Sequence, residues 1–164
     1  MGADLDIAVR LDRFEPDHIP NGECPMSQSD REQIQNHLAK YCFAVDGGTA
    51  EEITALFWDD ARLEFNGTHN GCEAICLCYA EWIRKMRDPV EGLRHLIYVP
   101  LIEIDGDHAV AKTYVDADAH VRKSGRTILL RSLYRDRLTK RNGEWRFFER
   151  HIVGMRSLYD AERR

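Results

Sequence analysis

Asp46 and His95 are two side chains of this sequence whose types and settings could together move a proton. Asp46 stands immediately before the pair Gly47-Gly48, at the end of a helical pattern. A negative charge there is opposed by the helix macrodipole, so a histidinium or a hydrogen-bond donor is expected beside it. His95 lies in Leu93-Arg94-His95-Leu96-Ile97-Tyr98, where period-two alternation gives it one face with Ile97 and Val99. A histidine among β-branched residues points inward. With a carboxylate behind it to fix its tautomer, it can take or give a proton near neutral pH. Tyr41 precedes Asp46 by five positions, about 140° round an ideal helix. The two converge only if the helix loosens at Gly47. A converging Tyr41 would donate to a developing oxyanion or ether oxygen, and otherwise it is an aromatic filler with its hydroxyl at the edge of the core.

Tyr98, Tyr114, Arg131, Ser132, Tyr134, Glu149 and His151 are polar groups set in apolar strand patterns. Of these, Tyr98, Tyr114, Arg131, Tyr134 and His151 are the candidates for contacting a substrate. Parity alone leaves open which strand face is inward, because a bulge switches it. Metal chemistry finds little support: Cys72 and Cys76 share a helical face, but Cys78 lies about 160° from Cys76, which suits no tetrahedral site. Cys-x-x-Cys, His-x-x-x-His, a phosphate-binding glycine loop and a nucleophile elbow are all missing from the sequence. Neither a metal nor an organic cofactor is expected.

The elements that would position these residues follow from caps and periods. Ser29 with Glu32 forms a capping box, and Ile34, Leu38, Tyr41 and Val45 follow on one stripe until Gly47-Gly48. Thr49 with Glu52 opens a second helix through Ile53, Leu56 and Phe57. Arg62 to Phe65 reads as a strand entering a turn at Asn66-Gly67. A third helix is expected over 71–87, with Ile75, Tyr79, Trp82 and Met86 as its stripe and Asp88-Pro89 as its end. Beyond residue 92 the period becomes two, giving strands over 93–105, 108–120, 127–139 and 144–153 separated by short turns. Such strands form an antiparallel meander. Helices covering a strongly curved sheet would give a cone with a cavity, so the expected fold is an α+β, cone-shaped barrel. Residues 1–28 read as an extension, 29–156 as the domain and 157–164 as a tail.

The composition sets the outer bounds. A chain of 164 residues with 43% apolar and 31% charged residues is expected to be a soluble, single-domain globule. The formal charge of -5 argues against a nucleic-acid surface. No run of 18 apolar residues or secretory h-region occurs, so neither a membrane partner nor export is expected, and a cytoplasmic site with reduced thiols is. Leu129, Leu133, Trp145 and Phe147, placed on the outer sheet face, would expose apolar area, which points to a homo-oligomer.

Several blocks carry a resemblance. Tyr41-Cys-Phe-Ala-Val-Asp46-Gly-Gly, the run from Glu51 to Phe65, Gly71-Cys-Glu-Ala-Ile75, Arg94-His95-Leu96, the run from Ile104 to Tyr114, and Tyr134 to Leu138 leading to Asn142-Gly-Glu-Trp-Arg146 arrive in order. Over about 29–156 the chain resembles the SnoaL-like branch of the nuclear transport factor 2-like superfamily. The resemblance implies a cone with a deep, mostly apolar pocket, assembled as a homodimer or homotrimer. It is nearest to the dehydratase and dehydrochlorinase branch, including scytalone and bile-acid dehydratases, where a strand histidine is the base and a helix-end aspartate orients it. His95 and Asp46 match those positions, and Tyr41 matches a tyrosine of the bile-acid dehydratase. It implies a cofactor-independent lyase acting on a small, apolar, hydroxylated aromatic, steroid or polyketide-like substrate. The alternatives are an isomerase or cyclase with the same base, a non-catalytic binding domain, or an accessory subunit of a ring-hydroxylating oxygenase. The epoxide hydrolase pattern, an arginine between two carboxylates, is only approximated by Arg131, Asp116 and Asp118.

Overall fold

Helix α1 (Asp30–Gly47) begins at the expected capping box: the Ser29 hydroxyl accepts from the Glu32 peptide N–H at 3.3 Å, and the Glu32 carboxylate accepts from the Ser29 peptide N–H at 2.8 Å. The computed structural model describes residues 28–159 of the chain, so the expected 1–28 extension, except Gln28, lies outside the described residues, as does 160–164 of the tail. Ile34, His37, Leu38, Tyr41, Cys42 and Val45 form the buried face of α1. The helix stops at Gly48, whose N–H reaches Ala44 O at 2.7 Å in an extended conformation. A Cβ at Gly48 would stand 2.8 Å from that same oxygen, which is why the stop is a glycine. Helix α2 (Ala50–Thr54) opens on the Thr49–Glu52 capping box. It is shorter than expected, since Phe57 already belongs to strand β1 (Phe57–Glu64).

Strand β2 (Thr68–Asn70) leads into α3 (Gly71–Trp82), and a π-helical turn over Ile83–Arg87 replaces the last part of the expected third helix. Met86 accordingly points to solvent instead of extending the apolar stripe. The expected strand over 93–105 is two strands, β3 (Val90–Ile97) and β4 (Leu101–Asp105), separated at Pro100, which has no N–H to give a ladder. β5 (His108–Val121), β6 (Thr127–Arg141) and β7 (Glu144–Tyr159) complete the sheet.

The strand order is β2-β1-β7-β6-β5-β3, with β4 also paired to β5. β1 runs parallel to β7, and the other pairs are antiparallel. This corrects the cone-shaped barrel. β2 ends the sheet on one side and β3 with β4 on the other, so the α+β fold has an open, mixed sheet that is neither closed nor strongly curved. Strand length suggested closure, but closure requires the terminal strands to bond to one another. Here helices cover the inner face instead.

On β5 the inner face carries Ala109, Ala111, Thr113, Val115, Ala117 and Ala119, all buried, while Tyr114, Asp116 and Asp118 face outward. The core joins this face to Ile34, Leu38 and Val45 of α1, Ile53 of α2 and Ile75 of α3. Trp145 and Phe147, expected on the outer face, are core residues. Asp30 ties the start of α1 to the sheet by accepting from Lys140 Nζ at 2.7 Å and Trp145 Nε1 at 3.0 Å. Among the described residues no helix is long and apolar enough to cross a membrane.

Candidate active site

His95 is aimed inward by a β-bulge. Glu91 pairs with His120, yet Arg94 pairs with Asp118, so β3 spends one more residue than β5 over this stretch. Gly92, at φ 63, supplies the left-handed conformation that the extra residue needs. The next pair is His95 with Ala117, which lies on the inner face. Asp46 sits on the last turn of α1 and faces this histidine. Its Oδ1 lies 2.6 Å from His95 Nδ1, and its Oδ2 accepts from the His95 peptide N–H at 3.0 Å. Both carboxylate oxygens are therefore used by one residue, and the helix end and the strand edge are locked together. The two side chains keep 11% and 18% of their exposure. A carboxylate in its ionised form only accepts, so with a neutral ring this contact favours the tautomer that carries its proton on Nδ1 and its lone pair on Nε2. Nε2 has no hydrogen-bond partner among the described residues.

Tyr41 is not brought to this pair. α1 stays helical through Gly47, so Tyr41 faces the core and its hydroxyl bonds the Tyr79 hydroxyl at 2.7 Å. Around it Phe57, Tyr79, Tyr134 and Phe147 make a buried aromatic cluster. Arg150 runs into this cluster. Its guanidinium stands 3.8 Å from the Tyr41 ring centroid, 3.9 Å from that of Phe147 and 4.5 Å from that of Tyr134. Asp136 holds it by two bonds, at 2.7 and 2.8 Å, while Arg150 Nη1 stays unpartnered. Burial opposes the Arg150 charge, but Asp136 outweighs it and holds the guanidinium protonated. Burial also pushes the Tyr41, Tyr79 and Tyr134 hydroxyls above their ordinary range, so they stay neutral. His37 packs on Phe147 with its ring 4.5 Å away and bonds Leu56 O at 3.0 Å; burial, aided by the Arg150 charge, brings it down to about 4.

The other candidate side chains separate by face. Tyr134 belongs to the buried cluster. Tyr98, Tyr114, Arg131 and His151 lie on the outward side, where Asp116 accepts from the Tyr98 hydroxyl at 2.8 Å and stands 3.5 Å from Arg131 Nε. Asp118 is engaged instead by Arg94, at 2.7 and 3.0 Å, so Arg131 does not bridge two carboxylates. Val99, expected beside His95, lies beyond the end of β3 and is exposed. Among the described residues no group of three or more His, Cys, Asp or Glu side chains could hold a metal, and Cys42, Cys72, Cys76 and Cys78 are free thiols.

The sequence pattern places Tyr79 on the apolar stripe of the third helix but does not single out Asp136 or Arg150. Asp136 had a signal, because it alternates with Tyr134 and Leu138 on one face of β6. Arg150 had none: β7 carries an extra residue between the pairs Leu138–Phe147 and Arg137–Glu149, and this bulge turns Arg150 inward against the alternation.

A family described as the SnoaL-like domain matches residues 26–151. No curated protein matches the chain. Among solved structures, Rv3472 from Mycobacterium tuberculosis, a protein of unknown function, is 28% identical with a TM-score of 0.66 over 76% of this chain and 71% of its own. LinA is 22% identical, with a TM-score of 0.69 over 80% of this chain and 89% of its own. The hexachlorocyclohexane dehydrochlorinase LinA-type3 from Novosphingobium barchaimii LL02 is 18% identical, with a TM-score of 0.67 over 80% of this chain and 90% of its own. At these identities the likeness to the last two is one of fold.

Proposed function

Because the chain belongs to the SnoaL-like domain family, we propose that it is a lyase, a cofactor-independent dehydratase in which His95, oriented by Asp46, is the base. The observation that carries this reading is the carboxylate that meets both Nδ1 and the peptide N–H of His95 while Nε2 has no hydrogen-bond partner among the described residues. The fold shared with a hexachlorocyclohexane dehydrochlorinase supports an elimination. Nε2 takes a proton from carbon, the electron pair of that C–H bond becomes a C=C bond, and the bond from the neighbouring carbon to its hydroxyl breaks. The imidazolium formed is stabilised by Asp46. It returns its proton to the departing oxygen, so water leaves and the ring is neutral again. General-base catalysis of this kind contributes about 10²- to 10⁴-fold.

The buried aromatic cluster supports a small apolar substrate. The core between the helices and the sheet is aromatic and aliphatic, and the proposed substrate, in keeping with the family resemblance, is a small, apolar, hydroxylated ring compound of aromatic, steroid or polyketide type. Tyr41 and Tyr134 contribute to its apolar wall in this proposal, since the Tyr41 hydroxyl is already bonded to Tyr79. The test is a screen of such alcohols with the purified protein, reading loss of one water by mass spectrometry. An active compound should be dehydrated by the wild type and not by His95→Gln. Equal dehydration by both proteins would remove His95 from the reaction.

A further inference from the structure

The carboxylate of Asp46 sits where its own helix disfavours it. At the C-terminus of α1 the unpaired carbonyls of the last turn carry partial negative charge, which repels the carboxylate of an aspartate placed there. α1 has no basic residue in its last turn to offset this. The compensation comes from elsewhere in the chain. Arg87 Nη1 donates to Val45 O at 3.0 Å and to Gly48 O at 2.6 Å, the carbonyls on either side of the Asp46-Gly47 step.

Arg87 reaches that turn because of the irregular backbone that carries it. It is the last residue of the π-helical turn Ile83–Arg87 that continues α3, and π-turns of one such unit recur at functional sites. Asp88 N–H closes the turn on Ile83 O at 2.9 Å. Two residues later β3 begins, and with it the Gly92 bulge that aims His95. One short segment, 83–95, thus carries both the cation that holds the Asp46 turn and the histidine that Asp46 holds. Arg87, Asp46 and Gly92 line a common cleft of about 430 Å³, together with Asp88, Glu91 and Arg122. Arg122 is engaged by Glu91 at 3.0 Å, which leaves Arg87 as the cation bonded to the helix end.

We propose that Arg87 is a positioning residue for the dyad, fixing the Asp46 turn by binding its flanking carbonyls so that the carboxylate meets both N–H groups of His95. This rests on the reading of His95 and Asp46 as a working pair. Arg87 touches neither of their side chains, so its effect passes through the backbone of 45–48 and through the charge it brings to the helix end. Without it the last turn frays, as helix termini lacking partners do, and the hydrogen bond at Nδ1 loosens.

The test reads the dyad without a substrate. In the full-length, nitrogen-15-labelled protein, the Nδ1 proton of His95 is followed by NMR, with its exchange against water and the ring tautomer as readouts. Arg87→Met keeps the aliphatic stem and removes the donor. Exchange of the Nδ1 proton should then accelerate roughly tenfold or more, about the weight of one lost hydrogen bond, with the far-ultraviolet circular dichroism unchanged. Arg87→Lys, which returns a cationic donor, should restore most of the protection. A wild-type exchange rate in folded Arg87→Met would overturn the proposal. If Arg87→Met does not fold, Arg87→Gln takes its place, with an intermediate rate expected and the wild-type rate contradicting. Loss of the fold in both variants would also overturn it, because Arg87 would then serve the whole fold. The dyad reading fails differently: a slow Nδ1 proton lost in Arg87→Met, combined with undiminished turnover in His95→Gln, upholds the positioning and removes the chemistry.

Discussion

Asp136 and Arg150 form a two-bond ion pair in which neither side chain has any solvent exposure, walled by the rings of Tyr41, Tyr134 and Phe147. Removing one partner leaves the other charge buried and uncompensated, which costs about 3–5 kcal/mol, whereas removing both together costs far less than the sum. Arg150→Met and Asp136→Leu should each lower the urea midpoint sharply, and the double variant should recover much of the loss. Equilibrium unfolding of the three variants checks this. Additive losses would show that the two residues do not act as a pair.

His37 gives the fold an acid limit. Its ordinary value of 6.5 falls to about 4 in the folded protein because burial disfavours the imidazolium. The unfolded chain therefore binds the proton first. The stability that follows is fully present above about pH 6.5 and is lost as the pH falls toward 4, at about 1.4 kcal/mol per pH unit. Urea denaturation between pH 4 and 7 should show this slope in the wild type. In His37→Gln the slope should be shallower by one proton's worth, and an unchanged slope would exclude His37 as its source.

The Gly92 bulge should be as necessary to the site as His95 itself. With φ at 63, an alanine in its place is strained by about 1–2 kcal/mol. If β3 relieves that strain by losing the bulge, His95 moves opposite Asp116 on the outward face and leaves Asp46. Gly92→Ala should therefore lose the Nδ1 hydrogen bond or, with the bulge kept, lose stability. A variant with both the wild-type NMR signal and the wild-type melting temperature would contradict this.

The outward sheet face carries Leu96, Tyr98, Tyr114 and Leu129 in exposed positions, among the ion pairs Arg94–Asp118 and Arg131–Asp116. Exposed apolar area of this kind marks an interaction surface, and we propose that it pairs copies of the 19.0 kDa chain, so that light scattering at micromolar concentration should give a dimer or trimer. Leu96→Glu with Leu129→Glu should return it toward the monomer mass. A wild type already at 19.0 kDa would contradict the expectation.

Local chemistry made much of this legible from the residues alone. Ser29 with Glu32 and Thr49 with Glu52 place two helix starts, Gly48 a helix end, and the alternation of His95 with Ile97 its inward direction. What stayed hidden depends on partners distant in the chain. The parallel pairing of β1 with β7 leaves no mark in either strand, so the sequence pattern alone points to a closed antiparallel sheet where the fold has an open, mixed one. Two bulges, at Gly92 and beside Phe147, shift parity by one residue. The second hides Arg150, and Trp145 and Phe147 were placed on the wrong side. The convergence of Tyr41 with Asp46 requires a loosening at Gly47 that does not happen, because α1 stays helical through Gly47 and ends at Gly48.

In the proposed reaction His95, held by Asp46, is the base. The most direct test of this role is the kcat of His95→Gln on a hydroxylated compound that the wild type dehydrates. Glutamine keeps much of the volume and cannot serve as a comparable base. Turnover should fall at least about 10²-fold, Asp46→Asn should lose turnover with KM little changed, and Tyr41→Phe should lose less than either. His95→Gln turning over that compound at the wild-type rate would contradict the claim.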